Sequence, residues 1–258
     1  MAVIKDPDAD FVRQSVASIA YDAISDRITS GEFGSNDRLT EAELIRELQV
    51  SRGAVREAMS KLAADGLIEI ELNKGAVVRP ITRNDMSDFL QVRSLYESFA
   101  AKRAAERINE TGVRALAHAV MEECDALIAD PTPEGMIRND TSFHSAIMEM
   151  SGNAIMGAEW RRLRRSRYRI NFLRSLGREE ILVSVTQHRE NLLAILDGDA
   201  ELASNFAAKH VSMTNARIQR LSNQKFDAIF NSPGRKTGGK AKQAKGVADP
   251  RRKAAGGD

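Results

Sequence analysis

The sequence predicts a mainly α-helical protein made of an N-terminal winged helix-turn-helix and a C-terminal all-α antiparallel helical bundle. Three observations indicate this fold class. Helical patterns followed by a strand-like alternation fill the first 80 residues. After Pro80 the apolar spacing is helical and breaks only at short Gly or Pro segments, which favours antiparallel neighbours. Three of the four histidines also lie where apolar residues of such a bundle belong.

The length and composition predict two domains in a reducing compartment. A chain of 258 residues with 42% hydrophobic residues can form two cores. No apolar run is long enough for a membrane span, and the N-terminus has no apolar signal segment, so we expect a cytoplasmic, nucleoid-associated protein. The single cysteine excludes an internal disulfide. The predicted segments are an arm at 1–12, a winged helix-turn-helix at 13–80, a linker at 81–84, a helical metal- and effector-binding domain at 85–222 and a disordered basic tail at 232–258.

The N-terminal domain has a start or stop signal at each predicted element. Thr40 and Glu43 form a capping box, Ser51 is a second N-cap, and Gly66 is a helix stop. The predicted elements are a helix at 13–30, a short helix from Thr40 to Leu48, a helix at 52–65, and strands at 67–72 and 76–79 joined by the turn Asn73-Lys74-Gly75.

The second helix of the pair presents two arginines on its polar side. Arg52 stands at its first position and Arg56 one turn later, at the helix end that would enter a major groove. Arginine binds guanine bidentately or holds phosphate, and a lysine at the wing tip can approach phosphate. Two solvated arginines on an exposed helix are the alternative. The predicted DNA-contacting residues are Arg38, Thr40, Ser51, Arg52, Gly53, Arg56, Lys74 and Gly75.

The second domain contains only helical patterns. The segment Thr82-Arg83-Asn84-Asp85 is a capping signal that opens it. Helices are predicted at about 85–108, 112–129, 134–150, 153–175, 178–196 and 199–221. The helix at 153–175 is either continuous or broken in its middle.

Four polar residues stand in the apolar seams of these helices. Asp140 and His144 are four apart and share one helix face. His188 lies ten residues before Gly198 and His210 twelve after it, so an antiparallel hairpin brings both imidazoles to nearly the same height. Buried imidazoles and carboxylates are costly unless they satisfy each other or a cation.

Three nitrogens and one oxygen in a helical bundle suit a divalent metal. We therefore predict a site for zinc, with nickel, manganese or iron as alternatives, held by Asp140, His144, His188 and His210. The alternative interpretation is that each histidine is a satisfied core residue. His118 has no such partners and is predicted to lie on the surface.

Two further charged features allow two interpretations each. Arg93 lies in an apolar seam, where it can clamp a ligand carboxylate or form an internal ion pair with Glu97. From Ser232 to Asp258 the chain has eight basic and two acidic residues. This tail either attracts phosphate backbones or acts only as a solubilising terminus.

The segment from Val50 to Met59 (VSRGAVREAM) resembles the recognition-helix signature of the GntR family of bacterial transcription regulators. Gly53 and Ala54 stand where that signature has a small polar residue and a proline, and Ala42 stands where some relatives have an arginine. The helical half, with Asp140-x3-His144 followed by two histidines, resembles the FCD domain of the FadR subgroup.

The resemblance implies a homodimer that binds a pseudo-palindromic operator, with a small organic acid as effector. It also implies that Arg93 meets the effector carboxylate. Three other functions are kept open: a metalloenzyme with a DNA-binding unit, a direct metal sensor, and a regulator whose metal is only a structural staple. The first is disfavoured because no carboxylate is evidently placed as a general base; Glu149 falls off the face of His144.

Overall fold

The structure is a computed structural model that describes residues 15–71, 75–164 and 169–234. Helices account for most of these residues, and three short strands form one sheet. The elements, in chain order, are α1 (Val16–Thr29), β1 (Arg38–Leu39), α2 (Glu41–Leu48), α3 (Arg52–Ala64), β2 (Ile68–Glu71), β3 (Gly75–Val78), α4 (Arg83–Glu106), α5 (Val113–Ala129), α6 (Pro133–Met150), α7 (Ala154–Arg164), α8 (Arg169–Arg174), α9 (Arg178–Leu196), α10 (Ala200–Gln219) and α11 (Asn223–Phe230).

The N-terminal unit, called the head here, is a winged helix-turn-helix as the sequence predicts. Its three helices and its sheet enclose one core, and the sheet is antiparallel in the order β1-β3-β2. Both predicted N-caps form, since Thr40 accepts from the Glu43 amide and Ser51 from the Ala54 amide. Between α2 and α3, Gln49 adopts a left-handed conformation with φ of 54° and turns the chain tightly.

Strand β1 was not predicted, because two residues are too few to show an alternating pattern. It pairs with β3, so that Arg38 lies opposite Val77 and Leu39 opposite Ala76. At Gly75, where φ is +91°, an added Cβ would lie 2.5 Å from the Leu39 carbonyl oxygen. Glycine is therefore needed there for the two strands to approach each other.

Helices α4 to α10 form the predicted bundle around a second core. Helix α4 runs antiparallel to α10, since Arg83 contacts the end of α10 whereas Lys102 pairs with Glu201 at its start. Helices α9 and α10 form an antiparallel hairpin about Gly198, whose φ of +75° suits the predicted helix stop.

Several predicted boundaries differ from the structure. The segment at 153–175 holds two helices, α7 and α8, in agreement with the alternative of a break in its middle. Helix α4 begins at Arg83, inside the predicted linker at 81–84. The helical domain continues past the predicted end at 222, because α11 buries Phe226 and Phe230 in the bundle core. The predicted arm at 1–12 and the tail beyond Gly234 lie outside the described residues.

The residues directly after α11 pack against the head. The Asn231 side chain accepts from the Ile81 amide at 2.8 Å and from the Ser35 hydroxyl at 3.0 Å. The Ser35 amide donates to the Ser232 carbonyl at 3.2 Å. The start of the predicted tail is thus packed against the head.

Within the described part of the chain, every helix is too short or too polar to cross a lipid bilayer.

Candidate metal centre and nucleic-acid interface

Three helices place four polar side chains in the interior of the bundle. Asp140 and His144 come from α6, His188 from α9 and His210 from α10, and all four are buried. Each replaces one apolar residue in a seam that continues on both sides of it, as Val185 and Leu192 do beside His188. The apolar periodicity of the helices therefore directs these four polar side chains into the core.

The four side chains lie close together. Ligand atoms of His144, His188 and His210 all lie within 4.8 Å of one another. Nε2 of His188 and Nε2 of His210 are 3.3 Å apart, and Nε2 of His144 is 3.3 Å from the nearer Asp140 oxygen. The predicted hairpin therefore does bring His188 and His210 to the same height.

The outer nitrogen of His188 is held by an amide. Its Nδ1 lies 2.8 Å from the Asn139 oxygen, while the Asn139 nitrogen donates to the Cys124 sulfur at 3.2 Å. An amide oxygen only accepts, so the proton of His188 is on Nδ1 and Nε2 carries a lone pair. Burial raises the pKa of the Cys124 thiol to about 11, which keeps it protonated at neutral pH.

The outer nitrogen of His210 is held in the same way. Its Nδ1 lies 2.9 Å from the Gln187 oxygen, and the Gln187 nitrogen contacts the Met213 sulfur at 3.0 Å. Because a thioether has no proton to donate, this contact fixes the orientation of the amide. Nε2 of His210 therefore also carries a lone pair, and it faces the lone pair of His188.

His144 has a carboxylate on one side and a guanidinium on the other. Its Nδ1 lies 3.0 Å from Glu97 Oε1, and its Nε2 lies 2.6 Å from Nη2 of Arg93. Arginine only donates, so the His144 lone pair is on Nε2 as well. Nε of Arg93 is 2.5 Å from the same Glu97 oxygen, so the ion pair that was one of the two interpretations of Arg93 is present.

The donor set fits a divalent cation. Two lone pairs that face each other at 3.3 Å repel unless a cation lies between them. Two nitrogens bound to one zinc ion at about 2.0–2.1 Å lie about 3.0–3.5 Å apart. The outer nitrogens also have the hydrogen-bonding partners that orient metal-binding histidines. The three histidines are thus the residues that could hold a metal ion, and Asp140, with an oxygen 3.3 Å from Nε2 of His144, stays a predicted fourth ligand.

The surroundings of His210 favour the deprotonated imidazole that a metal needs. Burial lowers the pKa of His210 well below its usual value, and the neighbouring histidines act in the same direction. For Glu97, burial alone would raise the pKa, but Arg93 and His144 outweigh it and lower the pKa to about 2. Such an acidic carboxyl is a poor general base at neutral pH. Sequence reasoning did not place Glu97 beside His144, and its low pKa does not suit the role of a general base.

A small cavity adjoins this cluster. Its volume is about 30 Å³, and Arg93, Asp140 and His210 are among its lining residues. Phe172 and Leu173 of helix α8 also line this cavity. One water needs about 10–15 Å³, so the cavity in this conformation has room for about two or three waters and is too small for an organic acid.

Three residues contact the Nδ1 atoms of the histidines and are called the outer partners here. Sequence reasoning missed two of them and did not connect the third with a histidine. Asn139 and Gln187 were not singled out, although each directly precedes a predicted ligand, and Glu97 was considered only as a partner of Arg93. A polar residue beside a ligand on the same helix was the available signal, but polar residues at such positions are equally common on solvated faces.

The predicted DNA-contacting arginines lie on the exposed side of α3. Arg52, Gly53 and Arg56 are all exposed, and Nε of Arg56 is 2.8 Å from a Glu41 oxygen at the start of α2. This ion pair holds the Arg56 side chain over the junction of the two helices. Around Gly53 the nearest atom to an added Cβ is 4.0 Å away, so the helix start would accept a side chain.

The other predicted contacts have structural roles of their own. Thr40 and Ser51 are N-caps, and Arg38 pairs across the sheet with Glu71 at 2.9 Å. Gly75 permits the approach of β3 to β1. Lys74 lies outside the described residues. Whether these residues contact DNA stays a prediction.

Comparison with known proteins defines the class. A helix-turn-helix with an arginine-bearing second helix, joined to a helical sensory-type bundle, is the architecture of a bacterial transcriptional regulator. The model of bacterial regulatory proteins of the gntR family matches residues 17–78, and the FCD domain model matches residues 88–213. The chain belongs to the GntR family, in the branch with an FCD domain, and is a transcriptional regulator.

Individual relatives agree with this membership. The Nta operon transcriptional regulator of Aminobacter aminovorans is 25% identical over 182 residues, which cover 70% of this chain and 84% of that protein. The repressor NanR of Klebsiella aerogenes is 27% identical over 241 residues, which cover 84% and 90%. A solved GntR regulator from Rhodococcus sp. RHA1 is similar with a TM-score of 0.62 at 23% identity, over 80% of this chain and 99% of that chain, and shows the fold.

Proposed function

We propose that the protein is a repressor that binds operator DNA through its head and responds to a divalent metal ion together with a small organic acid. The observation that carries the metal is the 3.3 Å distance between Nε2 of His188 and Nε2 of His210, whose outer nitrogens both face amide oxygens. Zinc is the favoured ion, because three imidazoles and one carboxylate match its ligand preferences.

The DNA-binding part of the proposal rests on the exposed face of α3. Arg52 and Arg56 are the cations that would contact base edges or phosphates in the major groove. Neighbouring carboxylates already hold Arg56 and Arg38 in place, so DNA would have to compete with Glu41 and Glu71 for them. Such competition disfavours weak, nonspecific contacts.

The acid-binding part rests on the cavity beside the metal cluster. A bound divalent ion would supply positive charge and open coordination positions to a carboxylate. Arg93 lines the same cavity and offers a donor that binds carboxylates bidentately. Because the cavity is about 30 Å³, an acid could enter only if α8 moves or side chains rearrange.

Helix α8 is placed to carry such a movement to the head. Phe172 and Leu173 face the cavity, whereas Asn171 and Arg174 line a groove of about 310 Å³ whose other wall includes the head loop around Gly31. A shift of α8 therefore changes two surfaces at once, and a ligand that favours the shifted form would change the orientation of the head.

Helix α11 provides a second connection. The Phe172 ring stacks on Phe230 with centroids 6.1 Å apart and an interplanar angle of 15°. The next residue, Asn231, bonds to the backbone of Ile81 and to the Ser35 hydroxyl. Displacement of Phe172 would therefore affect the residues around Ile81, which lie between the head and the bundle.

A second function, direct sensing of the metal, is favoured by the size of the cavity. If no acid enters it, metal binding alone would set the affinity for the operator. We expect the two functions to separate in a binding assay, in which the metal-loaded protein is measured with and without added acids.

The proposed assembly is a homodimer through the outer face of α4. Val92, Leu95 and Phe99 are exposed there at helical spacing, with Leu95 74% exposed. An apolar stripe of this kind suits a self-complementary two-fold contact, which would match a palindromic operator. Leu95→Glu should shift the protein to monomer in sedimentation experiments, whereas Leu193→Glu, at another exposed leucine, should not; dimers that persist in Leu95→Glu exclude this face.

The function is tested by isolating the operator and measuring release. Genomic fragments retained by the full-length protein would be sequenced, and the operator titrated with metal-free protein, zinc-loaded protein, and zinc-loaded protein with single hydroxy acids, sugar acids and dicarboxylates. We expect zinc-loaded protein to change its operator affinity at least about fivefold with one acid, the lower end of usual allosteric coupling. Affinity that is insensitive to zinc and to every acid would contradict the proposal.

A further inference from the structure

Arg93 occupies an unusual place in the buried cluster. Its Nη2 is 2.6 Å from Nε2 of His144, and its Nε is 2.5 Å from Oε1 of Glu97. The guanidinium is buried and also lies 5.8 Å from the centre of the Trp160 ring. It is therefore a fixed cation inside the bundle, with one nitrogen on a carboxylate and another on an imidazole.

The lone pair that Arg93 occupies is the one a metal ion would need. Nε2 of His144 is the nitrogen nearest to Asp140, and its other nitrogen already faces Glu97. A metal–nitrogen bond is about 2.0–2.1 Å long, so an ion on this lone pair and a donor nitrogen 2.6 Å away cannot both be accommodated. The two cations exclude each other at His144.

We propose that Arg93 is the resident cation of the metal-free cluster, and that a metal ion binds by displacing Nη2 of Arg93 from His144 toward the adjoining cavity. The inference rests on the proposed metal function. Glu97 keeps its bond to Nε of Arg93 and anchors the side chain while the outer nitrogen moves. Metal and acid then bind in sequence, because the donor that would meet a carboxylate becomes free only when the metal has bound.

Charge balance supports this role. Two buried carboxylates, Glu97 and Asp140, face the cluster of imidazoles, and both raise the pKa of Arg93 against the effect of its burial. Without a cation these carboxylates would be strongly destabilising. Arg93 therefore keeps the ligands assembled before metal arrives, at the cost of weakening the metal affinity.

Zinc affinity of two variants tests the displacement. Full-length wild type, Arg93→Met and Arg93→Met/Glu97→Gln would compete for zinc with a chromophoric chelator. Loss of a buried charge-assisted hydrogen bond to the competing donor should tighten zinc binding about 10- to 100-fold in both variants. The double variant removes one charge of each sign, and glutamine still accepts from His144, so its gain cannot come from net charge.

A matched control and a wild-type measurement complete the test. Arg189→Met removes an arginine next to His188 that instead pairs with Asp125 at 2.7 Å, and should leave zinc affinity within about threefold of wild type. In wild-type protein, the side-chain ¹⁵N signals of Arg93 should change on addition of one equivalent of zinc. Because this measurement uses wild-type protein, it tests the displacement of Arg93 even if a variant fails to fold.

The possible outcomes distinguish failure of the Arg93 displacement from failure of the proposed metal function. Unchanged zinc affinity in both variants, a gain that the double variant loses, or unmoved Arg93 signals in zinc-loaded wild type would overturn the displacement and leave the metal site standing. Zinc binding by none of the proteins would overturn the proposed metal function itself.

Discussion

The exposed face of α3 and the buried cluster of the bundle use polar residues in opposite ways. The Arg56 side chain is 64% exposed and forms a single ion pair, whereas His144 is fully buried between Arg93, Glu97 and Asp140. A surface cation needs no partner to be stable, so its neighbours say little about its function. A buried polar group depends on every neighbour, so its surroundings indicate which ligand it can accept.

This contrast predicts different consequences of substitution. On α3, loss of a side chain should change binding and leave stability unchanged. In the cluster, loss of one side chain should change metal affinity and stability together, because the remaining groups lose a partner.

The largest expected effect is the loss of metal from His188→Ala. Removal of one of three imidazoles should weaken zinc binding more than the 10- to 100-fold typical of an outer partner, so we expect more than about 100-fold. Elemental analysis after dialysis measures it. His118→Ala is the control, since His118 is exposed on α5 as predicted. Full metal retention by His188→Ala would show that the histidines do not share an ion.

The next largest effect is expected at the DNA interface. Arg52→Ala and Arg56→Ala should each weaken operator binding about 10- to 100-fold, the value of one good base contact. Their melting temperatures should match that of wild type, because both side chains are exposed. Fluorescence anisotropy at moderate salt measures the affinity, with Arg189→Ala as a surface control outside the head. Unchanged affinity in both variants would remove α3 from the interface.

The sequence predicted these two regions to different depths. Helix periodicity and caps such as Thr40 and Ser51 are local, so most elements of the head and bundle were predictable. The meeting of His188 and His210 was also predictable, because one glycine turn fixes their relative height. Helix α11 escaped prediction because Phe226 and Phe230 are spaced for burial against α8, a contact distant in sequence.

The outer partners of the metal ligands could not be predicted from the sequence for a similar reason. Asn139 and Gln187 matter only because tertiary packing turns each amide toward a histidine of another helix. An ion pair between Glu97 and Arg93 was one of the two interpretations of Arg93, and the pair forms, but the contact of Glu97 with His144 on α6 depends on how α4 and α6 pack. Spacing along one helix carries no information about that packing.

Asn139→Ala tests the outer partners and should have an intermediate effect. It leaves Nδ1 of the buried His188 without its acceptor, which should lower zinc affinity about 10- to 100-fold and the free energy of unfolding by about 1–3 kcal/mol. Chelator competition and chemical denaturation measure the two. Asn205→Ala, at an exposed position on α10, is the control. A loss of stability with unchanged zinc affinity would mean that Asn139 only fills space.

Asn231→Ala tests the connection between the two regions. It removes three hydrogen bonds to Ile81 and Ser35, which should lower stability by about 1–3 kcal/mol. Zinc affinity should stay within about threefold of wild type, because Asn231 does not contact the cluster. The change in operator affinity on zinc or acid addition should shrink. An undiminished response would exclude Asn231 as the connection and leave α8 alone as the coupling element.

The smallest effect is expected from the basic tail. The Gly234 amide donates to Asp37 at 3.1 Å, one residue before Arg38, so the described chain ends beside the head. A chain that ends at Gly234 keeps this contact and loses eight basic and two acidic residues. Its operator affinity should fall several-fold, and the salt dependence of log K should flatten by up to about 5, since each neutralised phosphate contributes about 0.9.

The control for this truncation keeps the tail length and replaces its lysines and arginines by glutamine. If phosphate attraction is the role of the tail, both proteins lose the same salt dependence and melt like wild type. If only the truncated chain loses affinity, length and not charge is responsible. A salt dependence equal to that of wild type in both would assign the tail to solubility, and the exposed cations of the head would then account for the whole electrostatic contribution.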